Sequence, residues 1–302
     1  MYYYHIYGLD VASDYNFKQL FSISEPSNTD ITIKQVDNKE VFADLSDTSQ
    51  IPDKYCHQSN YTNECISFFY PCQGTFKIYG GNTIEFYLRP DCDIVFAEQF
   101  MLCFAFGCLL RMRHTIALHG SGIVLNNKLV SISGASGSGK SSLADGLLKA
   151  GGLFLADDTI ALSDSNPILG YPTMPFRKLC DNHFTDQEKM RLTPLASTER
   201  EKYALLLDES EFFYTPTPLA AMFVIEVANI PAPTLTEITG ANKLKYITDN
   251  LYQRPVYDKL GIDKLSMLKC ISLASKIPVY VITRPEGRMT VDEQAALVFS
   301  ML

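Results

Sequence analysis

The chain has 302 residues, of which 46% are hydrophobic and 20% charged, so it can bury one large core with a smaller domain beside it. Its formal net charge is −8 and it carries no run of Lys or Arg, so we do not expect nucleic acid to be its main partner. The opening Met1-Tyr2-Tyr3-Tyr4 lacks the basic and apolar regions of a signal peptide, so a cytoplasmic protein is expected.

Residues 1–95 are polar and predict a small β-rich N-terminal domain. Short alternating runs such as Ile31-Thr32-Ile33 and Phe76-Lys77-Ile78-Tyr79 are typical of half-buried strands, and Gly80-Gly81-Asn82 predicts a hairpin turn. The segment from Ser46 to Asn63 is predicted to be a flexible loop. The domain boundary is therefore placed between residues 95 and 96.

The most apolar helix candidate, Phe96 to Met112, opens the second domain, residues 96–302. It contains Glu98 and Gln99, and we judge it too short and too interrupted to cross a bilayer. It is interpreted as a buried core helix, and no membrane partner is expected.

The cysteines form no Cys-x-x-Cys pair, so a structural zinc site is not expected, and nothing in the chain indicates the disulfides of a secreted protein. Most of them lie among apolar neighbours and are interpreted as reduced core residues. They are Cys56, Cys65, Cys72, Cys92, Cys103, Cys108, Cys180 and Cys270.

The most informative stretch is Leu129 to Ser142, an apolar strand that enters a G-x-x-x-x-G-K-S loop and continues into a helical pattern. Glycines let backbone N–H groups approach a polyphosphate closely, and a helix N-terminus turns its positive end to the same place. Lys140 is predicted to reach the β- and γ-phosphates, and the Ser141 hydroxyl to ligate Mg²⁺. The residues predicted to bind the nucleotide are Gly134, Ala135, Ser136, Gly137, Ser138, Gly139, Lys140, Ser141 and Ser142.

A pair of aspartates follows the loop and its helix. The helix is predicted from an apolar stripe that begins at Leu143 and from Gly151-Gly152 at its end, and the apolar run Leu153 to Ala156 then leads into Asp157-Asp158. Beside a phosphate loop, such a pair fits one metal ligand and one base for an incoming hydroxyl. Asp157 is predicted to be the base and Asp158 the metal ligand, although the exchange of these roles is left open.

The remaining elements predict an α/β core. Continuous apolar runs indicate central strands covered on both faces, and the last helix is predicted to start at a capping box. The predicted strands are Thr115 to His119, Ile123 to Leu125 before a turn at Asn126-Asn127, Met222 to Val227 and Val279 to Thr283; the helices are Asn242 to Tyr252, Asp263 to Lys276, and one that opens on Thr290-x-x-Glu293.

The segment from His119-Gly120 through Asp157-Asp158 resembles the catalytic core of the HPr kinase/phosphorylase family, which shares a fold with ATP-dependent phosphoenolpyruvate carboxykinase. That family shows a histidine-glycine strand, a hairpin, a Gly-x-Ser-Gly-x-Gly-Lys-Ser loop, a helix that ends in glycine, and Asp-Asp, in the order found here. The resemblance implies a P-loop kinase core of this type behind the small β-rich domain, with His119 beside the γ-phosphate.

Other parts of the chain, among them residues 1–13 and 277–285, are similar to a subgroup, the HPr kinase-like kinases of peptide-modification clusters, including lasso-peptide tailoring kinases. The chain has no counterpart of the Gly-rich segment that HPr kinases carry after the Asp-Asp strand. HPr as substrate and phosphorylase activity are therefore not implied. The resemblance implies a hydroxyl acceptor, a Ser or Thr of a peptide or protein.

Three arginines, Arg177, Arg254 and Arg284, are candidates for neutralising charge on the transferred phosphoryl group, and only one of them is expected to do so. Arg284, at the end of a predicted buried strand, joins Asp157, His119 and Lys140 in the predicted catalytic set.

Three functions compete on the sequence. The first is an ATP-dependent and Mg²⁺-dependent kinase acting on a Ser or Thr hydroxyl. The second is a small-molecule kinase or a phosphoryl transfer of the phosphoenolpyruvate carboxykinase type. The third is a non-catalytic ATP-binding module, which has no need of a base beside its phosphate loop. The sequence leaves open whether the protein forms a homo-oligomer.

Overall fold

The computed structural model describes residues 1–36, 58–70, 74–180, 192–195 and 202–302, which form a mixed α/β protein with several sheets. The N-terminal sheet has the strand order β1-β2-β3-β7-β6-β5-β4. Its strands are β1 Tyr2–Ile6, β2 Leu9–Ser13, β3 Ile31–Gln35, β4 Gln58–Tyr61, β5 Cys65–Tyr70, β6 Gly74–Tyr79 and β7 Thr83–Leu88.

The predicted hairpin is confirmed, because β6 and β7 pair with Tyr79 opposite Thr83, and Gly80 and Gly81 have positive φ angles of 61° and 67°. The predicted flexible loop is wrong over Gln58–Tyr61, which pairs with β5 as strand β4. This short polar strand has no apolar alternation of its own, so only its partner reveals it. Residues 46–57 of that predicted loop lie outside the described residues.

A continuous helical run packs against the N-terminal sheet. It consists of α1 Ile94–Phe100, a π-helical segment Met101–Ala105, and α2 Phe106–Met112. The run is long and apolar enough to cross a membrane, so the prediction that it is too short to do so was wrong. However, 72% of its most apolar 18-residue stretch is buried inside the protein. That burial is typical of a core helix.

The helical run shares one hydrophobic cluster with the sheet, in which Met101 and Phe106 pack with Phe76 and Phe86. Tyr252, from far along the chain, belongs to the same cluster. The boundary at residues 95 and 96 therefore stays a prediction, since the helix that opens the second region is buried against the first.

Gly107 of α2 makes room for Tyr252. A Cβ atom built on Gly107 would lie 2.6 Å from Tyr252 Cε1, closer than side-chain atoms approach one another. Glycine within a helix costs about 1 kcal/mol relative to alanine. At position 107 it allows the Tyr252 ring to pack directly against the helix backbone.

The second sheet carries the site and has the order β10-β8-β9-β16-β18-β17, with β11 on β8 and β12 on β16. The two continuous apolar runs lie inside the sheet as predicted, in β16 and β18, and both strands run parallel to β9. Its strands are β8 Ala117–Leu125, β9 Lys128–Gly134, β10 Leu153–Ala156, β11 Thr159–Ala161, β12 Leu169–Gly170, β16 Thr217–Ala228, β17 Thr234–Ile238 and β18 Val279–Pro285.

The two strands predicted before the hairpin are one strand, β8. The sequence between them looked like a break because it contains Gly120 and Gly122. Within β8 the first glycine is required, because a Cβ on Gly120 would lie 2.2 Å from the Ile132 carbonyl oxygen of β9. The predicted turn at Asn126-Asn127 is confirmed, with φ angles of 50° and 61°.

Strand directions bring the predicted site residues to one edge of this sheet. Because β8 is antiparallel to both β9 and β10, the latter two run the same way and end at the same edge. The loop that follows Gly134 and the pair Asp157-Asp158 therefore lie side by side, with His119 near the start of β8 between them.

Helices cover the sheet. The apolar stripe of the helix after the loop is confirmed, since Leu143, Ala144 and Leu147 are buried. The helices are α3 Lys140–Lys149, α4 Ala241–Asp249, α5 Arg254–Leu260, α6 Lys264–Lys276 and α7 Val291–Phe299.

Two helix ends differ from the predictions. The helix predicted to reach Tyr252 ends at Asp249, and the predicted capping box of α7 does not form. Thr290 makes no cap hydrogen bond, and Glu293 instead accepts a 2.9 Å hydrogen bond from Arg288. A third sheet, not predicted, has the order β13-β15-β14, with β13 Phe176–Cys180, β14 Leu192–Leu195 and β15 Lys202–Leu206.

Candidate active site

The loop between β9 and α3 has a backbone that only glycine adopts without strain. Gly134, Gly137 and Gly139 have φ angles of 137°, 79° and 105°. Gly139 is the N-cap of α3 and provides no side chain to bind the first N–H groups of that helix. Those donors and the positive end of the helix dipole suit the phosphates of a nucleotide.

Two cations hold the carbonyl groups of the loop. The Lys140 ammonium donates to the oxygens of Gly134 at 2.7 Å and Ala135 at 3.1 Å. Arg284 Nε donates to the Ser138 oxygen at 2.6 Å, and its Nη2 donates to the Gly137 oxygen at 3.5 Å.

The orientation of these carbonyls determines where the loop donors point. The C=O and N–H of one peptide unit point in opposite directions, so the N–H groups of Ala135, Ser136 and Gly139 face away from the two cations. Arg284, predicted to act on the transferred phosphoryl group, binds the loop itself.

A groove of about 930 Å³ opens beside the loop. It is lined by His119 and by residues 134–138, 224–227 and 249–255, among others. Arg254, the second arginine candidate, lines the groove but is tied to Asp258 at 2.7 Å and is half-exposed.

Asp157 accepts hydrogen bonds on both of its carboxylate oxygens. The Ser121 hydroxyl donates to Oδ1 at 2.8 Å, and the backbone N–H of Lys178 donates to Oδ2 at 2.9 Å. Asp157 also lines a small cavity of about 10 Å³ together with Ser141 and Arg177. Asp157 and the predicted metal ligand Ser141 thus share one space.

Asp158 has a left-handed backbone, with φ of 66°, which is uncommon outside glycine and is associated with functional sites. Its Oδ2 accepts from the Lys178 ammonium at 3.0 Å and from the Tyr252 hydroxyl at 3.0 Å. Burial acts to raise the pKa of this carboxyl, but the charge of Lys178, with smaller contributions from His119 and Tyr252, holds it well below its usual range.

Lys178 is protonated for the same reason. Burial disfavours its charge, but the Asp158 carboxylate raises the pKa of the ammonium above its ordinary value. The two side chains are each 23% exposed and form an ion pair.

His119 connects Asp158 with the groove. Its Nδ1 lies 3.0 Å from the backbone oxygen of Asp158 and 3.7 Å from Oδ1, and its ring stacks on Tyr252 with centroids 5.9 Å apart. Since a carbonyl oxygen only accepts, Nδ1 carries the proton in this hydrogen bond, which leaves Nε2 as an acceptor in the neutral ring.

Arg177, the third arginine candidate, is a structural link. It is 8% exposed, and its Nη2 donates to Asp145 of α3 at 3.0 Å. It therefore ties strand β13 to α3, the helix that follows the glycine loop.

Sequence reasoning missed Ser121, Lys178 and Tyr252 as members of the site. Ser121 lies between two glycines of β8, which is a weak signal, and Tyr252 was assigned to a helix. Lys178 is adjacent to Arg177, and two neighbouring cations in a strand are the one feature of the sequence that could have indicated a site residue here. That strand was not predicted.

No family model matches this sequence, and no curated protein matches it. Among solved structures, the chain is distantly similar to the Hpr(Ser) kinase/phosphatase from Coxiella burnetii, with 14% identity and a TM-score of 0.33. That similarity covers 61% of this chain and 88% of the other.

Proposed function

We propose that this chain is an ATP-dependent kinase that transfers the γ-phosphoryl group to a Ser or Thr hydroxyl of a peptide or protein. The observation that carries the proposal is that the glycine loop and the pair Asp157-Asp158 lie at the same sheet edge, where the loop and His119 line a groove of about 930 Å³. That edge is where open α/β sheets bind ligands.

The loop and α3 supply the nucleotide contacts. The N–H groups of the loop and the start of α3 bind the phosphates, and Lys140 exchanges the Gly134 and Ala135 carbonyls for β- and γ-phosphate oxygens. Its charge then offsets the negative charge that develops on the transferred group.

Ser141 and Asp157 are the residues that would hold Mg²⁺, because they are oxygen donors that line the same cavity. Bound there, Mg²⁺ would neutralise charge on the β- and γ-phosphates. Across the described ranges no group of three or more His, Cys, Asp or Glu could hold a metal. Mg²⁺ bound through one or two side chains and substrate phosphates requires no such group.

Asp158 is the residue proposed to receive the acceptor's proton. The acceptor oxygen bonds to the γ-phosphorus, the bond from that phosphorus to the β,γ-bridging oxygen breaks, ADP leaves, and the hydroxyl proton passes to Asp158. Oδ2 is engaged by Lys178 and Tyr252, which leaves Oδ1, on the His119 side, to orient the hydroxyl.

This assignment exchanges the roles predicted for the two aspartates, an exchange that the sequence left open. The contacts support it, because both oxygens of Asp157 already accept hydrogen bonds and Asp157 lies beside Ser141.

The test is incubation of the enzyme and Mg·ATP with the peptide encoded nearest its gene, followed by mass spectrometry. An added phosphate on Ser or Thr is expected with the wild type and not with Asp158→Asn. Phosphate found only on a small metabolite, or only as free phosphate, would contradict the peptide-kinase proposal.

A further inference from the structure

We propose that Lys178 is a positioning residue that holds both aspartates of the site at once, Asp157 through its backbone and Asp158 through its side chain. The inference rests on the proposed kinase function, because it concerns the same two carboxylates. Lys178 does not line the groove, but it lines the small cavity that Asp157 and Ser141 share.

The contacts of Lys178 reach both carboxylates from one residue. Its N–H donates to Asp157 Oδ2 at 2.9 Å, and its ammonium donates to Asp158 Oδ2 at 3.0 Å. The two carboxylates are thereby linked through a single residue, Asp157 through its backbone and Asp158 through its side chain.

Lys178 makes a third contact, at its ammonium group. Lys178 Nζ lies 3.4 Å from Cys103 Sγ, which is 3% exposed. Cys103 belongs to the π-helical segment Met101–Ala105, and such insertions in a helix occur frequently at functional sites. The side chain of Lys178 is therefore fixed between the sheet edge and the buried helix.

The strand that carries Lys178 also reaches the phosphate loop. Successive side chains of a strand point to opposite faces, so Arg177 and Lys178 contact different partners. Arg177 binds Asp145 of α3, whose first residue is Lys140, while Lys178 binds Asp158. Strand β13 thus fixes the aspartates relative to the helix that begins at the phosphate loop.

Tyr252 offers a matched comparison on the same oxygen. Its hydroxyl donates to Asp158 Oδ2 at 3.0 Å, as the ammonium of Lys178 does. Tyr252 is neutral, however, and binds only one of the aspartates. Lys178→Met keeps the backbone N–H that binds Asp157, so this variant tests the side-chain contact with Asp158. Because that contact is charged, a positioning role requires a larger loss of kcat from Lys178→Met than from loss of the Tyr252 hydroxyl.

The experiment measures ADP formation from Mg·ATP, which reports transfer to any acceptor including water. Lys178→Met is expected to lower kcat by about 100-fold, the scale of a misplaced catalytic group, while KM for ATP changes less than about threefold. Tyr252→Phe is expected to lower kcat by less than about tenfold. Lys149→Met removes a 71% exposed cation of α3 and is expected to leave kcat unchanged.

A second comparison tests whether Lys178 acts through Asp158. In an Asp158→Asn background, Lys178→Met should lower kcat by less than about threefold more, because the two changes remove one interaction. Calorimetry with Mg·AMP-PNP should give the same affinity for both proteins. Lys178→Gln, which keeps polar donors without the charge, provides the same comparison if Lys178→Met does not fold.

Effects of Lys178→Met that are equal in the two backgrounds would overturn the inference, as would a parallel loss of kcat, nucleotide affinity and melting temperature. Failure of the proposed function would look different. A wild type that forms ADP without phosphorylating any peptide would contradict the peptide acceptor and leave the Lys178 comparison intact.

Discussion

The phosphate loop and the aspartate pair are built in different ways. Lys140 binds loop carbonyls five and six residues before it, so most of the loop geometry is local in sequence. Asp158 instead binds Lys178, 20 residues away, and Tyr252, 94 residues away. The comparison teaches that the conformation of the glycine loop is encoded in a short segment, whereas the placement of the Asp158 carboxylate requires the assembled fold.

Removing the Lys140 charge should have the largest effect on the local side of the comparison. Lys140→Ala is expected to lower kcat by about 10³- to 10⁵-fold, because the cation acts on the transferred group. The affinity for Mg·ATP should fall much less, since the backbone donors of the loop remain. Initial rates and calorimetry measure the two quantities. Wild-type protein that binds neither ATP nor GTP would contradict our interpretation of the loop.

Neutralising the aspartates should separate their roles. Asp158→Asn is expected to lower kcat by about 10²- to 10⁴-fold with little change in nucleotide affinity. Asp157→Asn should instead raise the Mg²⁺ concentration needed for half-maximal activity, because it removes a charged oxygen ligand. The reverse pattern would restore the assignment predicted from the sequence, and wild-type activity in both variants would remove the pair from the mechanism.

The buried link between the two regions should matter for stability. Arg177→Met leaves Asp145 of α3 with only its exposed partner Lys149, and is expected to lower the free energy of unfolding by about 3 kcal/mol. Lys149→Met, which removes that exposed partner, should cost less than about 1 kcal/mol. Urea unfolding of both variants measures the difference, and equal losses would show that the buried ion pair carries no special stability.

Arg284 tests whether the loop conformation depends on a residue that is distant in sequence. Arg284→Met frees the Gly137 and Ser138 carbonyls, so the affinity for Mg·ATP should fall by about tenfold, as expected for the loss of hydrogen bonds from a charged group. A role on the transferred phosphoryl group, as predicted from the sequence, would instead lower kcat with affinity unchanged. Calorimetry and initial rates distinguish the two roles.

The smallest effect is expected at Asp263, the N-cap of α6, which lies outside the site. Its contribution to stability shows what a contact between near neighbours in sequence is worth. Burial acts to raise the pKa of Asp263, but hydrogen bonds from Ser266 and the proximity of His114 lower it from 3.8 to about 2. A lowered folded-state pKa contributes stability that is present above pH 4 and is lost as the pH falls toward 2. Asp263→Asn should therefore be less stable than wild type by about 1 kcal/mol at pH 6, with the difference narrowing at pH 3. A difference that does not change with pH would show that the charge is irrelevant.

The sequence predicted what local patterns encode. Strand β9, the glycine loop after it and the apolar stripe of α3 were predicted correctly, because each depends on neighbours within a few residues. Lys178 was missed because its strand is defined only by pairing with residues 202–206. The left-handed backbone of Asp158 was missed as well, since an Asp-Asp-Thr segment fits several conformations and the tertiary contacts select one.

The space at Gly107 has a consequence for how this site can vary. Gly107 does not line the groove, yet the ring of Tyr252 occupies the volume that a side chain there would fill. A methyl group added at that position would displace the ring, and with it the hydroxyl that donates to Asp158. The helix therefore contributes the space for a side chain and no functional group of its own. A substitution at this one buried position would change the hydrogen bonding of the Asp158 carboxylate although every residue that lines the groove stayed the same.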